Sequence, residues 1–307
     1  MSNFKHLSFG EKPAQSVEEN SQQQIRIVEK NIEGFNMSLA PDDGGISNVL
    51  YQVGMRERAF MSLLNSNIQE GMVCWDLGCN IGFTTLFMLR QCGESGFVYA
   101  VDPDDRNLAL ARLNFHNNNF NSRVEVTKCA ISDNTGQIDF WLSDKPNLNS
   151  VSQTKHSVQK ETVNCYSVPD FLKGRKYPNF VKMDVEGHEV KIFESGLEYF
   201  QSNRGFTHML VEVHPHLYSE ENNFEEILKK YFDIGFEPSF VVSTPVAQPA
   251  LFKEAGYDPV VNVPTDGFVR GIYNNISKDD LLRFACRENI EGTSKKIVRS
   301  FMLTRQE

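Results

Sequence analysis

The stretch Met72-Val-Cys-Trp-Asp76-Leu-Gly78-Cys-Asn80-Ile-Gly82-Phe83 decides how the rest of this chain is read. A short apolar run ends at an acid, enters a glycine-spaced turn, and continues into helical spacing over 82–92. A buried strand feeding a turn and then a helix is the opening unit of an α/β sheet. Gly78 permits the positive φ of a tight turn, and Gly82 lets the helix start lie close to the strand or to a ligand. The dinucleotide fingerprint would need glycine at positions 80 and 83, where Asn80 and Phe83 stand. Asp76 would also repel a pyrophosphate. An NAD-dependent oxidoreductase is therefore disfavoured, whereas Asp76 suits a cationic group such as an ammonium.

Outward from this stretch the rhythm of strand, turn and helix repeats. Strands are predicted at 97–101, 124–131, 180–184, 209–214, 236–242 and 297–303, with helices at 104–117, 187–200 and 224–232 between them. Two further strands, 138–142 and 162–166, flank a polar loop. The prediction is a doubly wound, seven-stranded, mostly parallel sheet of the Rossmann-like kind, whose ligands sit beyond the carboxyl ends of its strands. Residues 1–45 read as an N-terminal arm, helical in part (17–32) and mobile at its start. Residues 46–307 read as one domain: lead-in helices over 46–70, a core over 71–243, a proline-rich excursion over 244–295 that would serve as a substrate lid, and the last strand.

Composition narrows the partners. Across 307 residues, 31 Lys and Arg stand against 40 Asp and Glu, a net charge of −9. Such a chain lacks the basic footprint that a phosphate backbone demands, so nucleic acid is not expected as partner. No apolar run reaches the roughly 18–20 residues of a membrane span. The start shows no apolar signal segment, and the six cysteines have no C-x-x-C pairing. Free thiols in a reducing cytoplasm are the expectation.

The second strand ends at Asp102, twenty residues beyond Gly82. In nucleotide-binding α/β folds a carboxylate at that separation meets ribose hydroxyls. With Asp76, it points to an adenosine-containing ligand with a cationic, phosphate-free tail, and S-adenosylmethionine fits. The plainer alternative is that both acids only cap their turns.

At this point the chain resembles the FkbM family of class I S-adenosylmethionine-dependent methyltransferases. The resemblance rests on Asp76–Gly82, Ala100–Asp102, Ala130-Ile-Ser-Asp133, Leu210-Val-Glu-Val-His214, Arg56-Glu57 and above all Val181-Lys-Met-Asp-Val-Glu-Gly-His-Glu189. Cys79 and the loose stretch Tyr166-Ser-Val-Pro-Asp170 depart from the family pattern. The resemblance implies that Asp76, Gly78, Cys79, Asn80 and Gly82 cradle the methionine part, that Asp102 holds the ribose, and that Ala130 lies against the adenine. It implies O-methylation of a hydroxyl on a small molecule or saccharide, with S-adenosylhomocysteine as product. Only the resemblance brings Arg56 and Glu57 towards the acceptor. A non-catalytic, cofactor-binding protein on the same scaffold is the alternative from another class, although the retained acids and glycines speak for cofactor binding.

A hydroxyl is a poor nucleophile, so its proton must pass to a base in or near the transition state. The ends of the fourth and fifth strands gather Asp184, Glu186, His188, Glu189, Glu212, His214 and His216. His188 is the expected base, since a neutral imidazole accepts a proton near pH 7. Asp184 and Glu186 would orient it or bind the acceptor, with Glu212 and His214 nearby. Asp184, Glu212 and His214 also suit a divalent metal by donor type. No metal-binding spacing supports that, and none is assigned. Glu212 and His214 as a mutually satisfied buried pair remains open.

Overall fold

The computed structural model describes residues 25–244, 248–287 and 296–307. It opens with a hairpin of β1 (Val28–Ile32) and β2 (Phe35–Leu39). The turn between them puts Glu33 and Gly34 at φ +53 and +90, the two positive values a two-residue hairpin turn needs. Phe35, Met37 and Leu39 are buried. Ser38 N–H donates to Asn114 Oδ1 at 2.6 Å, which fastens the hairpin to the body. The expected helix over 17–32 is thus overturned for 28–32, which is strand, and 17–24 lies outside the described residues. Sparse apolar spacing was the mark of a strand here.

The lead-in is two helices, α1 (Ile46–Val53) and α2 (Arg58–Asn67). Then come β3 (Val73–Leu77), α3 (Phe83–Gln91), β4 (Phe97–Asp102), α4 (Asp105–Asn117) and β5 (Val124–Lys128). Asp104 caps α4 by accepting from Arg106 N–H at 2.8 Å, and Leu108, Ala111 and Phe115 form its buried stripe. Next are β6 (Ala130–Ser132), β7 (Gly136–Ser143), β8 (Ser157–Ser167) and α5 (Val168–Leu172). The chain continues through β9 (Phe180–Met183), α6 (Glu189–Ser202), β10 (Thr207–Glu212), α7 (Phe224–Asp233) and β11 (Glu237–Ser243). Last are α8 (Gln248–Glu254), β12 (Val261–Thr265), β13 (Phe268–Tyr273), α9 (Lys278–Ala285) and β14 (Val298–Arg305).

The main sheet has the order β12-β13-β11-β14-β10-β9-β3-β4-β5. The strands β5, β4, β3, β9 and β10 are parallel, and β14 runs antiparallel between β10 and β11. The expected seven strands are present in a mixed, mostly parallel sheet, but the count is nine. The hairpin β12–β13 adds two strands at the edge, built from residues read as irregular. The expected third strand also breaks at Cys129: β5 stays in the main sheet, while β6 joins β7 and β8 in a separate three-stranded sheet.

Side chains alternate between two apolar layers. Val73, Trp75 and Leu77 of β3 pack with α5, α6 and α7, and Cys74 faces α2, α3 and α4. Trp75 stacks on Phe171 with ring centroids 5.0 Å apart, as a core residue. The chain reverses direction across the sheet between β3 and β9, so the crevice for a ligand opens above their carboxyl ends. Gly78 sits there at φ +78, and any Cβ on it would collide with the Asp184 carbonyl oxygen. Gly78→Ala should therefore lower unfolding free energy by about 2–4 kcal/mol in urea titration, from the left-handed backbone plus overpacking. Unchanged stability would refute this close approach.

Candidate active site

A cavity of about 830 Å³ opens at that crevice, within the usual range for small-molecule sites. On one side are Gly78, Cys79 and Asn80 from the first turn, Asp102 from the end of β4, and Cys129, Ala130 and Ile131 from the break between β5 and β6. The other side carries Asp184, Glu186 and His188 beyond β9, Glu212 at the end of β10, His214 beyond it, and Arg56, Glu57, Lys296 and Arg299. Residues 146–151 and 153–156 of the β7–β8 loop form a further wall. None of the described residues of 244–295, the expected lid, lines the cavity, and 245–247 and 288–295 lie outside the described residues. The β7–β8 loop does border it. It is pinned by Asn149 Nδ2 donating to Asp104 Oδ2 at 2.8 Å and Ser150 Oγ donating to the Glu186 carbonyl at 3.0 Å.

The first turn is tied to the end of β4. Asn80 holds φ +49, and its N–H donates to Asp102 Oδ2 at 2.9 Å. Asp102 Oδ1 accepts from Asp104 N–H at 2.9 Å and Asn107 Nδ2 at 3.3 Å. Burial pushes the Asp102 carboxyl up to about 6, against the pull of these donors.

Two expected cofactor residues stand elsewhere. Asp76 is fully buried and does not line the cavity. Its cation is Lys182, its register partner on β9, with Nζ 3.0 Å from Oδ1. Thr84 and Thr85 hydroxyls donate to its other oxygen at 2.8 and 2.7 Å. Lys182 Nζ also donates to the carbonyls of Leu77 and Gly78 at 3.2 and 2.7 Å. Burial works against its charge, but Asp76 and Asp184 hold it above the ordinary lysine value. Asp76 thus acts on the turn through Lys182. Gly82 likewise does not line the cavity: a Cβ there would sit 2.7 Å from the Phe115 ring, so its smallness serves the packing of α3 on α4.

The acidic side is a charge-balanced cluster. Glu189, fully buried, accepts from His214 Nδ1 at 2.7 Å. His214 Nε2 lies 3.4 Å from Glu186 Oε2 and 3.5 Å from Glu212 Oε1. Burial disfavours the imidazolium, but Glu189 and Glu212 raise His214 well above its usual value. Glu212 Oε1 lies 2.5 Å from Arg299 Nη1. Burial opposes its charge, yet Arg299 keeps it ionised. Arg299 Nη2 reaches Glu57 Oε1 at 2.6 Å, and Arg56 Nη2 reaches the same oxygen at 3.0 Å. Asp184 is pushed up to about 6 by burial and by Glu212, and Glu186 to about 7 by burial and by Asp184, against the pull of His214. His188 faces Ser132 Oγ at 3.0 Å, and burial lowers its basicity. The carboxylates expected to activate His188 surround His214 instead.

Asp184, Glu212 and His214 each present a ligand atom within 4.8 Å of one another. Arg299 already supplies Glu212 with the positive charge that a metal ion would bring. Lys182, Glu189, Tyr218, Lys296 and Arg299 were not assigned roles from sequence. A lysine inside Phe180-Val-Lys-Met and an arginine inside Ile297-Val-Arg-Ser-Phe were the available signals, since a charge within a buried strand needs a partner.

A glycine turn at the switch point of a mostly parallel sheet places this chain among the doubly wound α/β folds that bind nucleotide-like ligands. The methyltransferase FkbM domain model matches residues 76–238, and the chain belongs to that family. S-adenosylmethionine is accordingly its methyl donor. A curated relative, the hexuronic acid methyltransferase AglP of Haloferax volcanii, is 27% identical over 163 residues, which covers 52% of this chain and 62% of that one. Among solved structures, a methyltransferase FkbM from Methylobacillus flagellatus is 16% identical over 66% of this chain and 43% of its own, with a TM-score of 0.41. An S-adenosylmethionine-dependent O-methyltransferase from Thermotoga maritima is 14% identical over 92% and 78%, with a TM-score of 0.42. Among the described residues no helix is long and apolar enough to cross a membrane.

Lys182→Ala leaves the buried Asp76 carboxyl without its cation. Its unfolding free energy should fall by about 3–5 kcal/mol in urea titration, and replacing both partners by apolar residues should recover much of that. A loss under 1 kcal/mol would show that the pair does not hold the turn.

Proposed function

We propose that this chain transfers a methyl group from S-adenosylmethionine to a hydroxyl of a saccharide or related small molecule. The supporting observation is that one cavity joins the Gly78–Asn80 turn and Asp102 to a cluster of partly neutralised acids and an imidazole. Gly78, Cys79 and Asn80 hold the methionine part of the cofactor, Asp102 its ribose, and Ala130 with Cys129 and Ile131 its adenine. These residues fit it: a carboxylate with donors already arranged for a diol on one side, a small apolar slot on the other. The bound cofactor supplies an electrophilic methyl group. The chain's part is to align an acceptor oxygen and to take its proton, and alignment supplies much of the rate.

The acceptor lies towards Arg56, Glu57, Glu212, His214, Lys296 and Arg299, donors and acceptors of the kind that reads sugar hydroxyls. The Haloferax volcanii relative, named for a hexuronic acid, supports a sugar acid within this class. Asp184, Glu186 and His188 stand between the two halves as the groups nearest the chemistry.

Calorimetry with S-adenosylhomocysteine should give micromolar affinity, weakened about 10- to 100-fold by Asp102→Ala, the worth of a hydrogen bond to a charged group. Wild-type affinity should fall as pH drops through about 6, because protonation removes the Asp102 carboxylate that the ribose requires. Radiolabelled methyl transfer to a panel of neutral and acidic saccharides then tests the acceptor class. Absent cofactor binding, or transfer only to non-hydroxyl acceptors, would overturn the proposal.

A further inference from the structure

The turn beyond β9 is bent in a way its own sequence does not demand. Glu186 holds φ +49 and Gly187 φ +93, two successive left-handed residues. A glutamate adopts that conformation only at a steric cost, and such outliers persist where the surroundings over-determine them. Here Ser150 Oγ donates to the Glu186 carbonyl, Gly187 N–H donates to Glu189 Oε1 at 3.1 Å, and Gly187 lies against Leu217, where any Cβ would collide. The effect is directional. The Glu186 side chain, 26% exposed, lines the cavity with Oε2 beside His214 Nε2. Behind that imidazole stands a buried frame. Glu189 Oε1 accepts from His214 Nδ1, and Tyr218 Oη donates to Glu189 Oε2 at 3.3 Å while accepting the His214 backbone N–H at 3.1 Å. His188, on the same turn, faces Ser132.

We propose that Glu186 takes the proton of the acceptor hydroxyl, with His214, Glu189 and Tyr218 as positioning residues behind it. This rests on the O-methylation reading. The acceptor O–H bond breaks and its proton passes to the Glu186 carboxylate. The oxygen's electron pair forms the bond to the methyl carbon as the carbon–sulfur electrons return to sulfur. The carboxylic acid then returns the proton to water, and no further reactant is needed.

The charges around Glu186 agree with this role. It is faced by Asp184 on its own turn, Glu189 of α6, Glu212 and His214 at the end of β10, and His216 beyond. Arg56 and Glu57 of the lead-in, Lys155 and His156 of the β7–β8 loop, and Lys296 and Arg299 at β14 line the same cavity. Burial first, then Asp184, Glu212 and Glu189, raise its carboxyl to about 7, and His214 pulls against them. The carboxylate is thus the dominant form above about pH 7, and its basicity matches a neutral medium.

The test uses the full-length protein, with methyl α-D-glucuronide as acceptor probe and ¹³C-NMR titration of glutamate carboxyls as a readout that needs no turnover. Wild-type kcat should rise with pH through about 7. Glu186→Gln should lower kcat by about 100-fold or more and remove that limb, while S-adenosylhomocysteine binds within about threefold of wild type. His214→Gln removes the cation that pulls against Asp184, Glu212 and Glu189, so both the kinetic limb and the Glu186 resonance should move to higher pH. Should that buried change impair folding, Tyr218→Phe should still lower kcat about tenfold with KM unchanged. The proposal falls if Glu186→Gln keeps kcat within threefold, or if His188→Ala alone removes the limb. It also falls if EDTA abolishes turnover and Mg²⁺ restores it. Should wild type neither bind S-adenosylhomocysteine nor methylate any saccharide, the O-methylation reading fails. The titration then judges Glu186 alone, and no carboxyl titrating near pH 7 sinks its role.

Discussion

The buried ion pair between Asp76 and Lys182 is the constraint around which the site is organised. It lies where the chain changes direction across the sheet, on adjacent strands in direct register. Two charges taken out of water at this depth are tolerated only if each finds further partners. Thr84 and Thr85 complete the acid, and the carbonyls of Leu77 and Gly78 complete the ammonium. The pair therefore fixes the end of β3 against the end of β9. It presents the Gly78–Asn80 turn in one conformation, beside an Asp184 backbone so near that only glycine fits.

The second organising fact is that the acids beyond β9 and β10 are not simply repelling one another. Glu189 and Glu212 are held ionised by His214 and Arg299, and the remaining pressure falls on Asp184 and Glu186. A site made this way contains carboxyl groups of very different basicity within a few ångströms. Environment and not residue type then decides which one exchanges a proton near neutrality. The same logic explains why His188, the imidazole nearest the motif, is the weaker base: it has burial and a serine, but no acid in hydrogen-bond contact.

How much of this was legible in the sequence depends on range. The parallel strands, their helices and the glycine turn follow from local periodicity, because β3, β4 and β10 alternate between two buried faces and read as continuous apolar runs. Twelve of the fourteen residues assigned to the site from sequence line one cavity; Asp76 and Gly82 do not. Those two stand back from the cavity wall, because a motif states which residues recur near a ligand but not which of them touch it. Asp76 needed knowledge of the neighbouring strand's Lys182, and Gly82 of the Phe115 ring. Hairpin β1–β2 was missed because its signal is a two-residue Glu33-Gly34 turn within a polar stretch. The β12–β13 strands were hidden by Pro264 and by exposed valines, which an edge strand tolerates and a central one does not.

One contact joins the far ends of this chain. Asp266 and the Thr265 hydroxyl, in the hairpin at the sheet edge, accept the backbone N–H groups of Glu57 and Arg58 at 3.0 and 2.8 Å, across 209 and 207 residues of sequence. The start of α2 is thereby set by residues synthesised much later, as is Arg299, which holds Glu57 and Glu212 together. The proposed cofactor half draws on residues 78–131. Much of the proposed acceptor half draws on 56–57 and 296–299, outside residues 76–238, which the family model matches. A nascent chain would therefore complete its methyl-donor pocket while its acceptor pocket still lacked walls.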